Sequence, residues 1–496
     1  MGATSASTPS PSGFASASRR AGAVRGPSMV DHALADASPT VLWLDREDRP
    51  EAGPALGQTG NGADDAVDLV IVGGGYSGLW AAIQSMQDDP NRSVVVIQSG
   101  RIAEQASGRN GGFCSSSLTH GLDNGASRFG EDLKRIEAEG RASFAGIRDT
   151  IEHHGIDCDW HEPGQLTVAT APWLVDDLHA SAELSRKHGY DIDVLDAEAT
   201  RSELDSPTYH AGLWQRDGEA LVDPARLGWG LAAAARSLGV RIHERTTMVG
   251  LERHGAGMAV RTDRGALRCG AVILATNAFR SPLRRINATV APVYDYVLAT
   301  EPLNDDQLAA IGWANRQGVA DTTNQFHYYR LAADRRIVWG GYDAVYHYGS
   351  RIDPALDQRE STHRVLAQHF FETFPQLEGL RFTHRWGGVI DTSTRFCVSF
   401  GTAFDGRVAY AVGYTGLGVG ATRFGARVCL DLLYRPDSER LSLSLVRKRP
   451  IPFPPEPIRW AGIEVTRRAM ARADAAHGHR GPWLRLLDRL GLGFDS

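Results

Sequence analysis

Ala66-Val67-Asp68-Leu69-Val70-Ile71-Val72-Gly73-Gly74-Gly75-Tyr76-Ser77-Gly78-Leu79-Trp80 is an apolar run that passes through Gly-x-Gly-x-x-Gly into a helical pattern. Five of the seven residues from Ala66 to Val72 are Val, Leu or Ile, which reads as a buried strand, and Leu79 to Met86 reads as helix. In that setting Gly73 allows the tight turn, Gly75 lets backbone approach a pyrophosphate, and Gly78 lets the helix pack on its strand. The phosphates then meet the helix N-terminus, where unbonded N–H groups and the positive dipole end coincide. With 54 glycines in the chain a bare match is weak, and a purely structural strand-turn-helix is the alternative. The strand before and the helix after favour a dinucleotide site.

The remaining composition bounds the partners. At 496 residues, 42% hydrophobic and 23% charged, the chain has room for two or three domains with sizeable cores. A net charge of -6 gives no footprint for nucleic acid. Five cysteines (Cys114, Cys158, Cys269, Cys397, Cys429) are scattered, odd in number and without a C-x-x-C pair, which speaks against a disulfide framework or zinc site and for a reducing, cytoplasmic location. No run approaches the roughly 18 apolar residues of a membrane span. Residues 1–30 are rich in Ala, Ser, Gly and Pro and carry Arg19, Arg20 and Arg25 without an acid. No apolar segment follows Arg19-Arg20, so an export signal is disfavoured; a disordered extension over 1–40, with Met29 as a candidate start, is favoured over a transit peptide.

Ser93-Val94-Val95-Val96-Ile97-Gln98 reads as the second strand. Its end, about 20 residues after the last glycine, commonly presents an acid to ribose hydroxyls. Gln98 stands there; its amide can bond a hydroxyl without the charge assistance, and an acid-free end also tolerates a 2′-phosphate, which keeps NADP open. A Gly-rich loop, Ser107-Gly108-Arg109-Asn110-Gly111-Gly112, a long amphipathic helix from about Ser127 to His154, and a helix from Asp223-Pro224 to Ser237 follow. The buried strand Val272-Ile273-Leu274-Ala275-Thr276-Asn277-Ala278 comes next. Late in the chain, strand Arg407 to Val412 runs into Gly413-Tyr414-Thr415-Gly416-Leu417-Gly418 and a helix from Val419 to Leu433.

These four motifs, in this order, resemble those of the FAD-dependent D-amino-acid-oxidase-like superfamily, and within it the gamma-glutamylputrescine oxidoreductase group, over about residues 35 to 437. The resemblance implies an α/β fold: a doubly wound FAD-binding Rossmann-like domain interrupted by a mixed-β-sheet substrate domain. The segments expected are 41–125, 221–290 and 385–437 for FAD, 126–220 and 291–384 for substrate, and 438–496 as a helical tail. Gly73, Gly75, Tyr76, Ser77 and Gly78 would face the pyrophosphate, Gln98 the ribose, and Met248 the adenine through its backbone. Ser107, Gly108, Arg109, Asn110 and Gly111 would run along the flavin, with Ala275 and Thr276 in the second nucleotide-contacting turn. Gly413, Tyr414, Thr415, Gly416, Leu417 and Gly418 would bring a helix N-terminus to the flavin's pyrimidine end, where its dipole stabilises negative charge by about 0.3–2 kcal/mol.

A flavin accepts hydride at N5, so the protein has mainly to hold a neutral amine against that atom and exclude water. Phe326-His327-Tyr328-Tyr329-Arg330 is the most suggestive substrate-domain segment: alternation puts His327 and Tyr329 on one face, Tyr328 and Arg330 on the other. His327 is a candidate proton acceptor with Tyr329 beside it; sheet core is the alternative. Amino-acid oxidases of the superfamily carry an Arg that grips the substrate carboxylate. The matching run here, Trp386-Gly387-Gly388-Val389-Ile390-Asp391-Thr392, has none, and Asp391 is a candidate for attracting a cationic amine instead. The acceptor expected is oxygen or a quinone or other electron carrier; some oxygen-using relatives place a Lys near the flavin, whereas this chain has only Lys134, Lys187 and Lys448, on expected surface helices or the tail, which points to the quinone or carrier. Cys114 and Cys397 lie near the cofactor motifs, leaving covalent attachment undecided. The expectation is an FAD-dependent oxidoreductase of amine C–N bonds, polyamine-like or gamma-glutamyl; the alternatives are an NADP-dependent dehydrogenase and a non-catalytic flavin-binding subunit. In the tail, Trp483 to Leu490 is amphipathic and basic, read as docking on its own body, with a membrane-surface or subunit contact as the minority reading.

Overall fold

A computed structural model describes residues 28–58, 66–490 and 492. Strand Val67–Val72 lies between Val94–Ile97 and Gly265–Leu274, parallel to both. Its central residues Leu69, Val70 and Ile71 are wholly buried, the reason they are apolar on both sides of the pleat. Arg241–His243 and Val408–Val412 extend the parallel sheet outward on either side, and Ser399–Ala403 closes one edge antiparallel. The chain leaves the first strand towards Val94–Ile97 and returns much later on the other side. A crevice therefore opens beyond the carboxyl ends of the strands, where such folds bind nucleotides. Gly73, Gln98, Ala275 and Gly413 each follow immediately after one of these strands.

Helices Tyr76–Asp88, Leu133–His154, Pro224–Ser237 and Gly418–Tyr434 cover one face of this sheet, with Trp80, Leu227 and Val428 in a common core. The hairpin Met248–His254/Gly257–Thr262 shares the other. The helix expected over 127–154 is two: Leu122–Phe129 and Leu133–His154 are separated at Gly130, whose φ of 37° the helix cannot continue through. Asp223 caps Pro224–Ser237 by accepting from Arg226 N, as its Asp-Pro start predicts.

A second, mixed sheet holds Gln165–Ala169, Ile192–Asp196, Ala211–Gln215 and the strands between 290 and 393. Its long strand Val290–Thr300 pairs along its length with Phe382–Ser393. Helix Glu360–Thr373 packs on one face, where Trp339, Tyr329, Phe370 and Phe374 form an aromatic core. The other face looks back at the first sheet. Residues 28–40, expected in a disordered extension, instead include a helix, Met29–Leu34, closed by a Ser28–Asp31 capping box, and Ala33, Leu34 and Ala37 are buried in that aromatic core. The rest of the expected extension, 1–27, lies outside the described residues.

Candidate active site

Between the sheets lies a cavity of about 1360 Å³, larger than the ~300–1,000 Å³ usual for one small ligand. Two helix N-termini open on it. At the first, Gly75 caps Tyr76–Asp88 with no side-chain bond of its own, and Ser107 Oγ accepts from Tyr76 N at 3.0 Å. Gly73 has φ +120°, and a Cβ on it would sit 2.2 Å from the Ala275 carbonyl; one on Gly78 would sit 1.9 Å from that of Gly73. Those two glycines serve the fold. A Cβ on Gly75 would meet only the movable Ser107 hydroxyl, at 2.8 Å, so this position is kept open towards the cavity. At the second N-terminus, Tyr414 to Gly418 line the cavity, with Thr415 and Gly416 at positive φ. Ser77 Oγ donates to Tyr414 OH at 3.0 Å, tying the two motifs together.

The loop between them offers its backbone. Arg109 and Asn110 turn their side chains into the protein: Arg109 reaches Asp357 and the Glu104 carbonyl, and Asn110 donates to Ala106 O at 2.9 Å and accepts from Gly112 N at 2.8 Å. Arg109 thus clasps the loop to the second sheet. Gly108 and Gly111 are close-packed, the latter under the Tyr328 ring. Ala275 lines the cavity, while the next residue, Thr276, holds a buried hydroxyl with no partner. Gln98 lies off the cavity wall, its amide oxygen accepting from Gly74 N at 2.8 Å to hold the glycine turn. Met248 is also off the wall, half-buried beside the first sheet. An open Gly75 cradle, two helix N-termini whose cap residues bring no side-chain bond of their own and the cavity's size together fit a dinucleotide with an anionic middle and a planar end.

His327 and Tyr329 do not line the cavity. They lie on the helix-covered face: His327 Nδ1 is 2.8 Å from Asp321, its Nε2 is 3.0 Å from His369, and Tyr329 stacks on Trp339 at 4.5 Å and meets Tyr209 OH at 2.5 Å. Burial and the neighbouring His327 hold the His369 imidazole down at about 4. Period-two alternation separates the two faces correctly but does not say which one is inward. The inward face carries Tyr328. Its hydroxyl donates to Asp295 Oδ2 at 2.5 Å, and Asp295 Oδ1 accepts from Tyr296 N at 2.9 Å. Burial pushes the Asp295 carboxyl up to about 6 despite these bonds. Tyr328 and Asp295 both line the cavity, beside Gly111 and within 5.7 Å, ring to ring, of Phe113. The sequence holds one clue to Asp295: it is the lone acid in the apolar strand Val290–Thr300.

Two residues beyond Phe113, Ser115 Oγ donates to Glu219 at 2.6 Å; burial lifts that carboxyl to about 8. Asp391 also borders the cavity, but its Oδ2 accepts from Gly413 N at 2.6 Å, and burial raises it to about 7. It braces the Gly413–Gly418 turn rather than presenting an open carboxylate. Asp391→Ala would strand a buried N–H at a cost of about 1–3 kcal/mol; the expected outcome is protein that loses more flavin on gel filtration than wild type, read from its visible absorbance, with Asp391→Asn milder.

Residues 68–432 match the family model described as FAD dependent oxidoreductase. Gamma-glutamylputrescine oxidoreductase of Escherichia coli (strain K12) is 33% identical over 381 residues, 75% of this chain and 84% of that protein. The sarcosine oxidase subunit beta of Rhizobium meliloti (strain 1021) is 26% identical over 66% of this chain and 74% of its own. Among solved structures, glycine oxidase from Geobacillus kaustophilus superposes with a TM-score of 0.63 at 19% identity, covering 77% of this chain and all but 1% of that one, which shows the fold. The match spans both sheets and every motif that opens on the cavity, and with it the NADP alternative falls away: the chain belongs to the family of FAD-dependent oxidoreductases, and FAD is its cofactor.

Proposed function

We propose that this chain oxidises the C–N bond of a cationic amine, polyamine-like or gamma-glutamyl, which Asp295 and Tyr328 hold beside the cofactor. The observation that carries the reading is the half-buried Tyr328–Asp295 pair, whose Tyr328 ring packs against Gly111 in the loop expected to run along the flavin. Bound FAD supplies the hydride acceptor. Asp295, ionised near neutral pH, pairs with the incoming ammonium. With its affinity for protons raised by burial, its carboxylate is a better base than an exposed one, and it takes the ammonium proton so that the amine is neutral when oxidised. Tyr328 OH fixes one carboxylate oxygen, and Phe113 walls the site against water.

The charge of the wall supports a cationic substrate over an alpha-amino acid. Four arginines line the cavity and each is engaged: Arg109 by Asp357, Arg467 by Asp343, Arg480 by Asp488 and Arg459 by Ser350 and the Pro454 carbonyl, and Gly387-Gly388 brings no other. The amine names of the relatives support the same class. For reoxidation, none of the three lysines lines the cavity, which favours a quinone or electron carrier over oxygen.

Steady-state assays with an artificial acceptor test this reading. Turnover of polyamines or gamma-glutamyl-amines, with little or none of glycine and small D-amino acids, is expected; the reverse preference would overturn it. KM for a cationic amine should rise as pH falls through about 6, because protonating Asp295 removes the counter-charge. That acid limb should be absent in Asp295→Asn.

A further inference from the structure

The segment after the family match packs on the body with one side and leaves the other uncovered. Inward, Asp474 accepts from Asn324 N and Gln325 N at 3.0 and 3.1 Å, Arg467 reaches Asp343 at 2.9 Å, and Leu484 is buried. Docking on its own body, the reading favoured from sequence, therefore holds for that side. Outward, seven of the twelve large hydrophobic side chains exposed among the described residues lie between Ile451 and Leu490. In helix Pro482–Arg489 and the residue after it, Trp483, Leu486 and Leu490 are 37%, 46% and 57% exposed at i, i+3 and i+7, a single stripe. Ile458 and Val465, seven residues apart on helix Ile458–Ala475, form a second, while Trp460 is exposed on another side of that helix.

The same segment is basic. From Ile451 to Leu490 there are seven Arg against four Asp and Glu, a net +3 in a chain whose total is -6. Arg472, Arg485 and Arg489 are exposed, the last two one helical turn apart beside the Trp483 stripe. Among the described residues no helix is long and apolar enough to cross a membrane, so any lipid contact is made in the plane of the surface. An indole ring within an apolar stripe, flanked by arginines, is the chemistry of an interfacial helix on anionic lipid. A second copy is the poorer occupant, since two such faces would set +3 against +3.

We infer that the surface formed by residues 451–490 docks this protein on an anionic lipid bilayer. Ile451, Ile458 and Trp483 also border the cavity, so docking lays its mouth against the lipid.

The test uses the flavin-loaded full chain and sedimentation with vesicles of phosphatidylcholine, alone or mixed with phosphatidylglycerol. Pelleting with the mixed vesicles only, weakened by high salt, is expected. L486D/L490D should cut the bound fraction about tenfold or more, and R485E/R489E should do likewise, with flavin content and thermal midpoint unchanged. Failure to pellet with mixed vesicles, or pelleting indifferent to L486D/L490D, would overturn the inference. So would a dimer by light scattering that L486D/L490D splits without any vesicle binding. None of these readouts needs turnover, so they stand apart from the amine reading.

Discussion

Gly75→Val is expected to give a folded protein that purifies without flavin. Its Cβ would displace only the Ser107 hydroxyl, 2.8 Å away, so the strand, the helix and their packing persist. The two added methyl groups then fill the space at the N-terminus of Tyr76–Asp88, the position at which the pyrophosphate has to lie against backbone N–H groups. A loss of about 100-fold or more in FAD affinity, ~3 kcal/mol, is expected. The comparison with Gly78→Val makes the result specific: there the Cβ meets the Gly73 carbonyl at 1.9 Å, an immovable backbone atom, and the whole chain should be destabilised. Visible absorbance per chain and a circular-dichroism melt separate the two. A Gly75→Val protein that keeps its flavin would place the pyrophosphate elsewhere.

Asp295→Asn is expected to keep flavin and fold but to lose catalysis on cationic amines. Asparagine keeps one oxygen to accept from Tyr296 N and turns its NH2 to the Tyr328 hydroxyl, which then accepts, so the shape and both contacts persist while the charge is removed. A hydrogen bond to a charged group is worth about 1.5–3 kcal/mol, so kcat/KM should fall ~10–150-fold. Most of that should appear in KM if Asp295 only anchors the ammonium, and in kcat as well if it takes the proton. Tyr328→Phe, removing the donor to that ionised carboxylate, should cost about 1.5–3 kcal/mol. Equal kinetics for wild type and Asp295→Asn would remove Asp295 from the site.

The doubly wound sheet was legible because each cofactor motif carries its own local signature, an apolar run ending in glycine or small residues. The structure sets Gly73, Gln98, Ala275 and Gly413 at the ends of parallel strands accordingly. What those residues do was less legible. Gln98 and Arg109, read as reaching for nucleotide and flavin, spend their side chains on Gly74 and on Asp357, and nothing in their local sequence announces partners 24 and 248 positions away. The substrate side was the hardest to read. Alternation separates the two faces of Phe326 to Arg330, but choosing the inward one needs the position of helix Glu360–Thr373, a tertiary fact, and the face left to the cavity carries Tyr328 rather than His327 and Tyr329. Asp295 was passed over in an apolar strand, although a lone acid there has to find a hydrogen-bond donor, and it finds Tyr328. Likewise Met29 to Leu34 read as part of an extension because so short a helix carries little signal; burial against the second sheet's core is what orders it.

The most direct test of the central claim is anaerobic mixing of the purified holoenzyme with a panel of primary and secondary amines, followed by the flavin's visible absorbance. Rapid, saturable bleaching by one or more polyamine-like or gamma-glutamyl amines is expected in the wild type, much slower in Asp295→Asn. No bleaching by any amine, with the flavin still reducible by dithionite, would contradict that claim and leave the flavin a structural component.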